Sequence, residues 1–181
     1  MLEDLPSELD RGPLDPVRIF AALEHHDVEY LTIGGVAVNA HGHLRNTRDV
    51  DVLIEWTAEN MQRLAAALRD LDASLFWVDA DLLDVDPLDP DDLLNGGNFT
   101  LRTAGGGLDL FDPDEIPGGR PYDEMRPRAV EATVAGVRIR AVGLDDLIRL
   151  KRESGRDRDL EDVATLLAAA GNAATEDELE P

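Results

Sequence analysis

The sequence predicts an α+β fold, a mixed β-sheet flanked by helices with further helices at the C-terminal end. Three observations lead there. Residues 30–55 read as strand, Gly-Gly turn, short helix, loop and second strand. Residues 58–71 carry an amphipathic stripe, and two strand hairpins at 98–111 and 129–142 run into a final pair of helical stretches. Strands interleaved with amphipathic helices bury their apolar faces by packing helices on a sheet.

A chain of 181 residues is long enough for a proper core and is expected to be one domain. Residues 1–14, polar with two prolines, read as a flexible arm. Residues 15–170 form the expected domain, and 171–181 an acidic tail. In the first helix, over residues 16–26, Asp15 is the N-cap and Pro16 takes the first position, with Ile19, Phe20 and Leu23 facing inward. A short strand over 29–33 follows. The helix over 36–41 is too short to stand alone, so the sheet must hold it. His41-Gly42-His43 reads as the end of that helix, with Gly42 supplying a positive φ, rather than as a metal pair.

Asp49 to Glu55 reads as a strand in which Val50, Val52 and Ile54 alternate with Asp49, Asp51 and Leu53. That period places Asp49 and Asp51 on one face, their Cα atoms roughly 7 Å apart. Two carboxylates facing the same way repel each other, and a divalent cation between them removes the conflict. Gly34-Gly35 closes the preceding strand and opens a helix, where free N–H groups and the positive dipole end suit phosphate. A phosphate cradle beside a carboxylate pair points to metal-assisted chemistry on a nucleoside triphosphate. Arg45 and Arg48 sit in the loop leading to the carboxylates. Such arginines balance charge, or hold a triphosphate or acceptor through the guanidinium fork.

Thr57 caps the helix over 58–71, in which Met61, Leu64, Ala65, Leu68 and Leu71 form the buried stripe. Residues 74–78 are an expected strand. The acidic stretch that follows, with Asp79, Asp81, Asp84 and Asp86, lacks a Gly-rich turn and is broken by prolines, so it reads as a solvated loop. Residues 98–103 and 108–111 form a hairpin. Asp109 stands there among apolar residues, where a carboxylate is costly unless paired or metal-bound, and is the candidate third carboxylate. Asp112, ahead of Pro113, reads as a turn residue. A second hairpin spans 129–142, and helices follow over 144–152 and around Leu160, Val163, Ala164 and Leu167. Lys151, the single lysine, opens a cluster with Arg152, Arg156 and Arg158. The cluster is either helix-end charge balance or a phosphate contact.

The formal net charge is −22. That acidity serves solubility, or disfavours non-specific nucleic-acid binding. With no cysteine, disulfides and thiolate metal sites are excluded. No apolar run approaches the ~18 residues of a membrane span, and the first residues lack a signal peptide's basic and apolar regions, so a cytoplasmic location without membrane attachment is expected.

The stretch GGVAVNAHGHLRNTRDVDVLI, with Asp109 beyond it, resembles the nucleotidyltransferase superfamily with the DNA polymerase β-like catalytic fold. It looks closest to the small toxin halves of AbiE-type and MenT-type toxin–antitoxin systems. The likeness is strong over residues 28–56 and weaker over 98–165. It implies a nucleotidyltransferase-like fold and Mg²⁺- or Mn²⁺-dependent transfer of a nucleoside monophosphate from an NTP to a hydroxyl. The acceptor classes are a tRNA, a protein or a small molecule, with a cognate antitoxin as a further partner. Asp49, Asp51 and Asp109 become the metal-binding and catalytic residues. Gly34, Gly35, Arg45, Arg48 and Lys151 become nucleotide contacts. The family's Gly-Ser variant of the turn carries a hydroxyl that Gly35 lacks. Two other expectations stand beside the enzyme: a nucleotide binder without turnover, and a protein-interaction module.

Overall fold

Strand period decides the architecture. In β2 (Asp49–Ile54), Val50, Val52 and Ile54 are fully buried on one side of the sheet, while Leu53 is buried on the other. Asp49 and Asp51 share the Leu53 side. The computed structural model describes residues 11–76, 84–134 and 136–177. Before β2 come α1 (Pro16–His25), β1 (Tyr30–Thr32) and α2 (Gly34–Ala40). After it come α3 (Ala58–Asp70), β3 (Ser74–Leu75), α4 (Pro90–Gly96), β4 (Phe99–Thr103) and β5 (Gly106–Phe111). The chain continues through α5 (Tyr122–Met125), β6 (Val130–Val134), β7 (Val137–Ala141), α6 (Leu144–Ser154) and α7 (Asp157–Asp177).

The strands form one mixed sheet in the order β3-β4-β5-β2-β1-β7-β6. β5 runs parallel to β2 and β7 parallel to β1, while the other neighbours are antiparallel. One face packs on α1 through Ile19, Phe20 and Leu23 and on α3 through Met61, Leu64 and Leu68. The opposite face packs on α2, α6 and α7 through Ala37, Val38, Leu147, Leu150, Val163 and Leu166. Burial of each side chain of this kind contributes about 1.5–3 kcal/mol, so both helical layers are held by the sheet. β1 is buried along its whole length, as a central strand must be.

The local devices match the sequence in several places. The Asp15 carboxylate caps α1 by accepting from the Arg18 N–H at 3.1 Å. Thr57 caps α3. Gly42 adopts φ +91° at the end of α2, and the His41 ring bonds the Val142 carbonyl at 2.8 Å. Buried Asn60 bonds the N–H and C=O of Glu29 and the C=O of Glu55, tying α3 to the ends of β1 and β2.

Two expectations need correction. Residues 11–14 are not loose: Arg11 is 4% exposed and Leu14 packs on the core. Residues 1–10 of the expected arm lie outside the described residues. The acidic loop contains a helix, α4, whose start carries Asp89 as N-cap and Pro90 in the first turn; Asp79 and Asp81 lie outside the described residues. The first residues of the expected acidic tail, 171–177, continue α7 as helix. Among the described residues no helix is long and apolar enough to cross a membrane.

Candidate active site

Register, not sequence proximity, assembles the site. β2 and β5 are parallel with Asp51 opposite Asp109 and Asp49 opposite Gly107. All three aspartates lie on the face shared with Leu53, at the edge of the α6–α7 layer. Thr100 of β4 stands opposite Asp109 on its other flank. Asp112 is not part of the group: it accepts from the Asp114 N–H at 2.9 Å and starts a turn.

The Gly-Gly turn is required by close approach. Gly34 has φ +60°, and a Cβ there would overlap Asp51 Oδ2. A Cβ at Gly35 would lie 2.6 Å from Thr47 Oγ1. The space a side chain at 35 would use thus holds a hydroxyl from another residue. Thr47 Oγ1 in turn donates to the Asp49 carbonyl at 3.0 Å, fixing the entry to β2.

A cation the sequence reading left out stands among the carboxylates. Arg11 Nη1 donates to Asp109 Oδ1 at 2.5 Å, and Nη2 to Asp49 Oδ2 at 2.8 Å and Asp109 Oδ2 at 3.4 Å. Its guanidinium lies 5.7 Å from the centre of the Phe76 ring. Asp51 is outside this pairing. Burial, then the charges of Asp49 and Asp109, push its carboxyl up to about 7. Burial also raises the Asp109 carboxyl, against the opposing pull of Arg11.

The opposite wall is basic but internally paired. Lys151 is 4% exposed, and its Nζ lies 2.7 Å from both Asp159 Oδ1 and Asp162 Oδ2, the latter an ion pair rather than an aligned hydrogen bond. Arg45 Nε reaches Asp162 at 3.1 Å and Arg156 Nε reaches Asp159 at 2.6 Å. Three cations thus surround two carboxylates, leaving a positive balance. Although burial works the other way, hydrogen bonds from Lys151, Arg156 and Ser154 hold the Asp159 carboxyl down at about 2. Arg158 donates to the Asn46 carbonyl at 2.7 Å and so ties α7 to the loop before β2.

These walls enclose a cleft of about 460 Å³, within the size range of small-molecule sites. Gly34, Gly35, Arg45, Arg48, Asp49, Asp51, Asp109 and Lys151 all line it, as do Arg156 and Arg158 of the basic cluster, while Arg152 does not. The sequence reading missed Arg11, Thr47 and Phe76. The glycine run 105–107 was a usable signal for Arg11, since it marks a place where other chain approaches closely. The donor set fits a hard divalent cation: three carboxylates share one face, the missing side chain at Gly34 lets the Asp51 carboxylate stand against the turn, and a guanidinium already answers their charge.

No family model and no curated protein matches the sequence. Solved structures do match the fold. The antibiotic-resistance factor ANT(2'')-Ia, in complex with adenylyl-2''-tobramycin, aligns with a TM-score of 0.58 at 16% identity, over 89% of this chain and 90% of its own. The lincosamide antibiotic adenylyltransferase LnuA, lincomycin-bound, aligns at 0.57 and 18% identity, over 87% of this chain and 99% of its own. An antigenic nucleotidyltransferase-like protein from Paracoccidioides brasiliensis aligns at 0.50 and 19% identity, over 87% and 78%. At these identities the likeness is one of fold: the chain has the architecture seen in nucleotidyltransferases.

Two predictions follow from the charges. Metal-free, folded Asp51 keeps its proton to about pH 7, whereas the unfolded chain releases it near the ordinary value of about 3.9. Between those values the folded state holds the extra proton, so this group's contribution to stability is lost as pH rises. In metal-free buffer at pH 8, Asp51→Asn therefore melts roughly 5 °C above wild type, and the gap shrinks as the pH is lowered to 4.5. Lys151→Met removes the buried cation shared by Asp159 and Asp162 but leaves them Arg156, Ser154 and Arg45, and urea unfolding registers a loss of about 1–3 kcal/mol.

Proposed function

We propose that this chain is a metal-dependent nucleotidyltransferase, moving a nucleoside monophosphate from an NTP to a hydroxyl acceptor. The observation that carries the reading is the trio Asp49, Asp51 and Asp109, brought to one face by the β2–β5 register beside a Gly-Gly turn. Neighbours of the same architecture that are named as adenylyltransferases or nucleotidyltransferase-like support it.

Asp49, Asp51 and Asp109 would hold Mg²⁺ or Mn²⁺, which when bound neutralises triphosphate oxygens and acidifies the acceptor hydroxyl. In the transfer, the acceptor oxygen forms a bond to the α-phosphorus while the bridging oxygen to the β-phosphorus departs with pyrophosphate. The hydroxyl proton passes to an Asp109 carboxylate oxygen, which serves as the general base. The backbone N–H groups of Gly34 and Gly35, with no side chain in the way, receive phosphate oxygens. Arg45 and Arg48 line the approach as guanidinium partners for phosphate. Lys151, engaged with two aspartates, acts on the triphosphate through the positive balance of its cluster and by holding Arg45 in place through Asp162.

A small hydroxylated amine is the acceptor class best supported. Two of the neighbours were solved with adenylyl-2''-tobramycin and with lincomycin, and a chain of net charge −22 favours a cation over an RNA. The motif from Gly34 to Asp51 also suits a toxin with a cognate antitoxin, in which case the label would pass to tRNA or protein.

Label transfer tests the proposal. The protein is incubated with each α-labelled NTP and Mg²⁺ or Mn²⁺, against hydroxylated amines, total RNA and cell protein. Label moves to one acceptor class with release of pyrophosphate, Asp109→Asn slows it about 100- to 10,000-fold, and Asp49→Ala and Asp51→Ala abolish it. Metal-dependent nucleotide binding without pyrophosphate release would identify a non-catalytic binder. No nucleotide binding at all would overturn both.

A further inference from the structure

Arg11 stands where the carboxylates call for a cation, and the chain around it is shaped to keep it there. Three consecutive glycines of the β4–β5 hairpin form the seat. A Cβ at Gly107 would lie 2.7 Å from Arg11 Cζ, one at Gly106 would meet the Pro13 carbonyl at 2.9 Å, and one at Gly105 would meet Ile19 Cγ1 at 2.7 Å and the Asp15 carbonyl at 3.1 Å. The Asp15 N–H donates to the Gly105 carbonyl at 2.9 Å, and Asp15 is the cap of α1. Residues 11–15 are therefore a strap laid over glycines, anchored at its C-terminal end by a helix cap and by Leu14 packed against the core.

The far end of the strap is built differently. Gly12 has φ +84° and nothing within 4 Å of where a Cβ would stand, so no side chain or neighbour packs over that side of the backbone beside Arg11. Arg11 Nε is buried without a hydrogen-bond partner, so the guanidinium is held strongly by two carboxylates but is not fully satisfied. With Arg11 between them, the three carboxylates do not converge. Among the described residues, three ligand atoms lie mutually within 4.8 Å only at the surface trio His25, His26 and Asp70, outside the cleft.

We propose that residues 11–15 are an autoinhibitory strap: Arg11 occupies the carboxylate cluster as an internal cation, and a divalent metal binds only when Arg11 swings out about Gly12. This rests on the metal site proposed above. One arginine spans Asp49 and Asp109, the same pair that must turn toward a metal, so the two cations exclude each other. The strap sets the metal concentration at which the site opens. It also keeps the carboxylates from repelling one another while the site is empty.

The test is Mn²⁺ binding to nucleotide-free protein, followed by the electron paramagnetic resonance of free Mn²⁺. Arg11→Ala binds Mn²⁺ with a Kd at least tenfold lower than wild type, and adding Asp51→Ala removes that binding. Gly107→Ala keeps the arginine but denies it its seat, and shifts Kd the same way, so the prediction survives if Arg11→Ala does not fold without metal. Equal or weaker Mn²⁺ binding by both folded variants, still lost with Asp51→Ala, overturns the strap and leaves the proposed function standing. No Mn²⁺ binding by any variant overturns both.

Discussion

The repulsion of three carboxylates on one face of a sheet is the constraint around which this molecule is arranged. Asp51 faces Asp109 across paired parallel strands, and Asp49 lies one pleat away. Nothing about a stable sheet asks for this, since like charges directly opposite each other destabilise a strand pair. The surroundings answer it in three ways. Arg11 bridges two of the carboxylates, Asp51 takes up a proton near neutral pH, and on the opposite wall Arg45, Lys151 and Arg156 outnumber Asp159 and Asp162. Gly34 lets the backbone come against Asp51 where any side chain would collide with it.

That arrangement makes the fold and the chemistry inseparable at a few residues. Lys151 holds the N-terminal turn of α7 through Asp159 and Asp162, and Asp162 holds Arg45 at the mouth of the cleft. A substitution at Lys151 would disturb packing first and the cleft through it, so activity alone misreads its role. Asp109 is different. Leu108 and Leu110 anchor its strand in the core on the opposite face of the sheet, and its carboxylate is held by groups that face the cleft. Stability and reactivity can be separated there.

Much of the site was legible in the sequence because it obeys short periods. The alternation in 49–54 put Asp49 and Asp51 together and predicted the buried Val50, Val52 and Ile54. Asp109 stood out because a carboxylate among Leu108, Leu110 and Phe111 needs a partner. What was not legible came from long range or from composition that misleads. Arg11 meets Asp109 across 98 positions, and its segment is polar and proline-rich, so it read as loose. The start of α4 carried Asp89, Pro90 and two further aspartates, a sound helix start hidden in a run of acidic residues. The burial of Lys151 could not be inferred from a lone lysine beside arginines, since only the packing of α7 on α6 closes its partners around it.

The most direct test of this account is where a divalent cation goes. Crystals grown with Mn²⁺ and a non-hydrolysable ATP analogue, measured near the manganese absorption edge, would locate it by anomalous scattering. The account predicts manganese bounded by Asp49, Asp51 and Asp109, with the Arg11 guanidinium withdrawn from Asp49 and Asp109. Nucleotide in the cleft with Arg11 still bridging those two carboxylates, and no manganese among them, would contradict it.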